Sequence, residues 1–200
     1  MRKLIINAII GITIIILMSC NSTDKSRVNS PKIYKTKTGK TITVIETHPV
    51  GQSLSNIEIN TIDFEHNFPE TYENVDPIAD VFVADLDNNN FDEIYIVTIS
   101  SGSGNYGRVM GFASNKDKSL SMINFPEIKE DEKIFEGYMG HDIFSIVDNK
   151  LIRVFPIYQK DNTNQNPTGG KRKLVYGLYP GEAMWQLKIE EQGRFEPSEK

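Results

Sequence analysis

The chain has 200 residues, with 22 basic against 27 acidic side chains and a formal charge of −5. That balance argues against a nucleic-acid ligand, whose phosphates call for a basic patch. A single cysteine excludes an intrachain disulfide, and the length suffices for one domain to bury its own core.

At the start, Arg2 and Lys3 precede an apolar run from Leu4 to Met18, broken only by Asn7, Gly11 and Thr13. A charged start and a short apolar core predict a secretory signal peptide over residues 1–19. The run falls short of the ~20 residues that a spanning helix needs. It ends in Leu17-Met18-Ser19-Cys20, which resembles a bacterial lipobox. Since Cys20 is the only cysteine, its thiol is read as the acylated N-terminus left by cleavage; an uncleaved anchor and an ordinary soluble export signal are the alternatives. Asn21, in place of the Asp associated with inner-membrane retention, favours an outer-membrane home facing the periplasm. Cleavage removes Arg2 and Lys3 and leaves 20 basic and 27 acidic residues, a charge of −7 that suits a basic partner. Residues 20–30 are polar and without periodicity, so they read as a tether reaching at most ~35 Å. The folded domain is expected over 31–200.

Short β-like runs follow. Lys32 to Thr36 and Thr41 to Thr47 flank Lys37-Thr38-Gly39-Lys40 as a hairpin, and Ser55 to Ile62 carries Ile57, Ile59 and Ile62 among polar neighbours. Phe64 to Pro77, with Pro69 and Pro77 and no clean period, reads as a loop or a short irregular helix.

The stretch from Asp80 to Phe112 is the most informative. Val81 to Ala84 is an apolar run that stops at Asp85-Leu86-Asp87-Asn88-Asn89-Asn90, residues that bond their own backbone and tolerate left-handed dihedrals. A second strand, Ile94 to Ile99, enters Ser100-Ser101-Gly102-Ser103-Gly104-Asn105-Tyr106-Gly107, and a return strand resumes at Val109. Gly102, Gly104 and Gly107 are expected to shape a tight, protruding tip through positive φ. Between them stand the uncharged hydroxyls of Ser103 and Tyr106, which can enter a cleft lined by carboxylates without the cost of burying an ion.

Ser103-Gly104-Asn105-Tyr106 fits the Ser-Gly-x-Tyr motif of the bacterial lysozyme inhibitors. From Ala84-Asp85-Leu86-Asp87 through Glu93-Ile94 to Tyr106, the wider context resembles the periplasmic inhibitor of i-type (invertebrate) lysozyme. The resemblance implies an all-β fold and a loop that enters the lysozyme's active-site cleft, where Ser103 and Tyr106 would bond the catalytic residues. It covers Asp80 to about Phe112.

Farther along, Leu120 to Phe125 is a strand and Glu127 to Lys133 a solvated loop or single helical turn. Ile143 to Val147 and Leu151 to Tyr158 enclose Asp148-Asn149-Lys150 as a hairpin. Asp161 to Gly170 is a polar loop. Lys173 to Tyr179 and Ala183 to Ile189 close the domain around Pro180-Gly181, with Trp185 as a core anchor. Turn signals recur about every 8 to 12 residues and no window sustains a helical period. An all-β, single-domain antiparallel sandwich or flattened barrel of about eight or more strands is expected.

Two further readings bear on function. Asp85, Asp87, Asn89 and Glu93 occupy positions 1, 3, 5 and 9 of a loop that resembles the calcium-binding turns of β-propeller repeats, and calcium favours such oxygen-rich arrays. Against that stands an Asx-rich turn holding its own amides. No cofactor is otherwise required. His141-Asp142 invites a catalytic reading, but Ser103 lacks the Gly-x-Ser-x-Gly frame and the histidines lack metal-ligand spacing, so His141 is taken as structural and the protein as no enzyme. The expected function is inhibition of a lysozyme by insertion of the 103–106 loop. The alternative is a non-inhibitory envelope module binding glycan or protein, with calcium at the Asp-rich turn.

Overall fold

A computed structural model describes residues 26–129 and 132–195. The predicted signal peptide, Cys20 and the tether as far as residue 25 lie outside the described residues. Five strands form a small sheet: β1 (Arg27–Val28), β2 (Lys32–Lys35), β3 (Thr41–His48), β4 (Ser55–Ile62) and β5 (Glu70–Val75), with β1 and β2 both paired to the side of β3 away from β4. Eight strands form the larger sheet: β6 (Ile78–Ala84), β7 (Glu93–Ile99), β8 (Gly107–Ser114), β9 (Leu120–Asn124), β10 (Ile143–Val147), β11 (Lys150–Pro156), β12 (Lys171–Pro180) and β13 (Trp185–Arg194). Their spatial order is β10-β11-β12-β13-β9-β8-β7-β6. The end strands β6 and β10 approach one another, so the sheet is nearly closed. The all-β expectation holds. Among the described residues there is no α-helix, only a 3₁₀ turn at Lys133–Phe135.

Alternation explains the small sheet. On β4, Ser55, Ile57, Ile59 and Thr61 are buried while Glu58 and Ile62 face solvent, as a period of two demands. Ile57 and Ile59 join Ile42 and Val44 of β3 in a core with Ile94, Ile96 and Phe112 of the larger sheet. A second core fills the inside of the curled sheet, where Tyr95, Val97, Phe144, Leu151, Phe155 and Tyr176 meet. Strand β7 is therefore the wall between two cores, and its alternate side chains enter each. Burial on both faces explains why residues 94–99 read as an almost unbroken apolar run.

Three details depart from the sequence reading. First, β1 lies inside the stretch assigned to the tether. Arg27 pairs with His48 and Asn29 Nδ2 donates to Glu46 Oε2 at 3.0 Å, so folded structure begins before Pro31. Second, β5 occupies part of the stretch read as loop or helix. It is the outer strand of its sheet with mostly exposed side chains, and such an edge carries no apolar stripe. Third, one join of the large sheet is parallel: Trp185 pairs with Ile123 and Gln186 with Asn124. Trp185 itself is half-buried against the larger core, whereas Leu187 is the fully enclosed side chain of that strand.

Candidate functional site

The loop joining β7 to β8 begins at Ser100 and ends at Tyr106, and the flanking residues Ile99 and Gly107 face each other in register. It is closed at its neck by two bonds between the same residues. Ser100 N donates to the Tyr106 carbonyl at 2.9 Å, and Tyr106 N donates to Ser100 Oγ at 2.9 Å. Higher up, Asn105 N donates to the Gly102 carbonyl at 3.1 Å. Asn105 has φ of 45°, a left-handed value that asparagine tolerates.

Here the expectation for the glycines is corrected. None of Gly102, Gly104 and Gly107 has positive φ. Gly104 and Gly107 are required for space instead. A Cβ on Gly104 would lie 2.4 Å from the Tyr106 ring, and one on Gly107 would lie 2.6 Å from Phe144 and 2.7 Å from Asp142 Cβ. Gly102 stands in the open with nothing near a Cβ.

Residues distant in sequence brace the loop from below. His141 N donates to the Gly104 carbonyl at 2.6 Å, and Asn164 Nδ2 donates to the Ser103 carbonyl at 2.8 Å. Since that amide nitrogen points to the loop, Asn164 Oδ1 accepts from His141 Nε2 at 3.1 Å, which places the imidazole proton on Nε2. Gly140, with φ of 86°, passes so close that a Cβ would lie 2.0 Å from the Gly104 carbonyl oxygen. Beneath these, Asp142 ties the loop's base to the core. Its Oδ2 accepts from Gly107 N at 2.7 Å and from Tyr138 Oη at 2.5 Å, and its Oδ1 accepts from Arg153 Nε at 2.7 Å. Arg153 Nη2 donates in turn to Tyr138 Oη at 2.8 Å.

Arg153 is fully buried and Asp142 nearly so. The guanidinium sits among rings, 5.1 Å from the Tyr138 centroid and 5.4 Å from that of Phe144, a setting that favours a cation over aromatic faces. Burial alone would lower the Arg153 pKa, but its bond to the Asp142 carboxylate overrides this and raises it. Burial likewise pushes the Tyr138 hydroxyl above its usual range, which keeps it a donor. Ring contacts continue this column to the tip, where Tyr138 meets Tyr106 edge-on at 5.7 Å.

What the loop presents outward is set by this brace. Ser103 and Tyr106 are both exposed, Tyr106 by 46% despite its contacts with Gly104 and Tyr138. Neither hydroxyl has a hydrogen-bond partner among the described residues. Each stands at the rim of a depression. Tyr106 borders one of about 1180 Å³ with Met110, Met122, Phe125 and Met184, and Ser103 borders one of about 530 Å³ with His141, Tyr158 and Asn164. His141, singled out with Asp142 as a catalytic candidate, engages Asn164 and through it the Ser103 carbonyl; no hydrogen bond joins it to Ser103 Oγ. Sequence reasoning missed Tyr138, Arg153 and Asn164. A charged residue inside the apolar run Leu151-Ile152-Arg153-Val154-Phe155 is a signal that points to Arg153; a polar loop gives none for Asn164.

At the other end of β7 lies the Asp-rich turn. Asp85 Oδ1 accepts from Asn89 N and its Oδ2 from Asn90 N, each at 3.0 Å, while Asn88 and Asn90 take φ of 59° and 73°. Asn89, read as a candidate ligand, has its Oδ1 engaged by Phe91 N at 2.7 Å and its Nδ2 on Asp87 Oδ2 at 2.8 Å. Oxygens of Asp85, Asp87 and Glu93 lie within 4.8 Å of one another. Lys37, from the β2–β3 turn, pairs through Nζ with Asp85 and donates its backbone N–H to Asp92 Oδ2 at 2.5 Å. Burial, with Asp87 and Asp85 alongside, pushes the Glu93 carboxyl up to about 8. No family model, curated protein or solved structure matches this chain.

Proposed function

We propose that this protein inhibits a lysozyme, of the invertebrate type, by inserting Ser103 and Tyr106 into the enzyme's catalytic cleft while anchored to the bacterial envelope through a lipidated Cys20. One observation carries the reading: two exposed hydroxyls without hydrogen-bond partners among the described residues are presented by a loop whose backbone is held from beneath. A glycosidase depends on two carboxyl groups in defined protonation states. Hydroxyls bonded to those groups would occupy the substrate's place and hold both carboxyls in one state. A loop already braced loses little entropy on docking, and a tyrosine adds contact area with few rotors to immobilise. The charge of −7 on the processed chain suits encounter with a basic enzyme. No chemistry by the inhibitor is involved.

The test is lysis of peptidoglycan by purified i-type, c-type and g-type lysozymes with and without the full chain. Inhibition of the i-type enzyme is expected, weakened by Tyr106→Ala or Ser103→Ala by roughly 1 to 4 kcal/mol, about five- to a thousandfold. An inhibitor whose Ser103→Ala/Tyr106→Ala double variant acts as strongly as the parent would rule out loop insertion.

A further inference from the structure

We infer that Asp85, Asp87 and Glu93 form a calcium site that locks the β6–β7 turn at the end of the molecule away from the inhibitory loop. Three acids in one place are common on protein surfaces and prove nothing alone. The independent observation is Glu93. It is fully buried, and its Oε1 has no hydrogen-bond partner, although its Oε2 accepts from Leu86 N at 2.8 Å and from Tyr95 Oη at 3.3 Å. A buried carboxyl oxygen without a hydrogen-bond partner is costly, protonated or ionised, and native structures rarely leave one so. Its two donors, Leu86 N and Tyr95 Oη, are both on Oε2, and the acids beside it, Asp85 and Asp87, offer no proton when ionised.

The geometry suits a hard cation. Oxygens of the three acids lie within 4.8 Å of one another, and a calcium ion with oxygens at 2.3 to 2.6 Å spans about 4.6 to 5.2 Å across its coordination sphere. All donors in the cluster are oxygens, the preference of calcium over softer metals. Asp87 is half-buried, leaving one side of the site open to water ligands. Positive charge is already drawn there, since the Lys37 ammonium pairs with Asp85. One ammonium opposes three carboxyls, and its side chain is 41% exposed, so it can swing away when a divalent ion enters. Lys37 is thus a competitor for the site as well as a strut between the two sheets.

The experiment titrates calcium chloride into the chelator-stripped full chain, reading heat and Tm. Saturable one-to-one binding is expected, with Tm rising roughly 5 to 10 °C at a hundredfold excess over Kd. Asp87→Asn and Glu93→Gln should each weaken binding at least about tenfold, and Lys37→Met should tighten it severalfold. Asp87→Asn serves if Glu93→Gln fails to fold, because Asp87 is on the rim. The inference is overturned by the absence of saturable heat and Tm change at millimolar calcium, or by binding that survives both acid substitutions undiminished. Lysozyme inhibition is read separately, so failure here leaves the loop proposal standing, and the reverse.

Discussion

The two loops at the ends of β7 are held by different balances of local and distant bonds. Roughly 20 Å of strand separates them. In the Asp-rich turn, side chains of residues 85, 87 and 89 bond amides two to five positions away. At the tip, local bonds close the neck, and the side chains that brace the loop come from far along the chain: Asp142 reaches Gly107 across 35 residues and Asn164 reaches Ser103 across 61. The Asp-rich turn holds its own amides with its own side chains, and Lys37 and Asn149 tie its carboxyl and amide side chains to the rest of the fold. A tip braced from elsewhere inherits the rigidity of the core, and the hydroxyls of Ser103 and Tyr106 make no hydrogen bond among the described residues. That division suits a docking loop, whose contact groups must stay unbonded until a partner arrives.

Cutting the brace at its root should give the largest effect. Asp142→Ala leaves Arg153 charged in a fully enclosed site, and breaking a buried pair in this way costs about 3 to 5 kcal/mol. Urea unfolding should show the loss, and inhibition should fall with it, since Gly107 N and the Tyr138 hydroxyl lose their acceptor. An equal loss from Asp85→Ala, measured without calcium, would erase the contrast between the two loops.

A pH titration sharpens the comparison from the other side. In chelator, folded Glu93 holds its proton up to about 8, whereas the carboxyl of the unfolded chain releases it near 4.5. Folding therefore takes up a proton between these values, and stability falls as pH rises through that window, by a few kcal/mol in total. Glu93→Gln should flatten the curve, as followed by unfolding midpoints across pH. A slope that persists in this variant would assign the dependence to another group.

The smallest change is expected from Asn164→Ala. It removes one bond to the Ser103 carbonyl and one to His141 at a half-exposed position, so stability should drop by about 1 kcal/mol. Hydrogen exchange at Asn105 and Tyr106 should quicken while the core strands keep their protection. Unaltered exchange at the tip would mean that His141 and Gly107 suffice as its supports.

Much of the strand pattern was legible because its causes are local. The hairpin expected at Asp148-Asn149-Lys150 forms with Asp148 and Asn149 alone in the turn, at φ of 49° and 56°, and Lys150 already paired with Val147; the hairpin at Lys37 to Lys40 sets Lys35 opposite Thr41. Strand β5 escaped because an edge strand with exposed side chains lacks a buried stripe. Ser103 and Tyr106 were legible as candidates because two hydroxyls stand among glycines and the Ser103-Gly104-Asn105-Tyr106 run resembles the Ser-Gly-x-Tyr motif of lysozyme inhibitors. Gly104 and Gly107 are required for space and not for the positive φ that the sequence suggests, and Gly102 for neither; a neighbour that excludes a Cβ is invisible until the chain has folded. By itself the sequence determined the alternation, the turns and the loop that carries the hydroxyls, all set within a few residues by dihedral preference and solvent exposure. Only the tertiary structure decided that β7 divides two cores, that β13 joins β9 in parallel, and that Arg153, Asp142, His141 and Asn164 meet under the tip. Those pairings depend on which distant surfaces exclude water together, and no local window of residues contains that information.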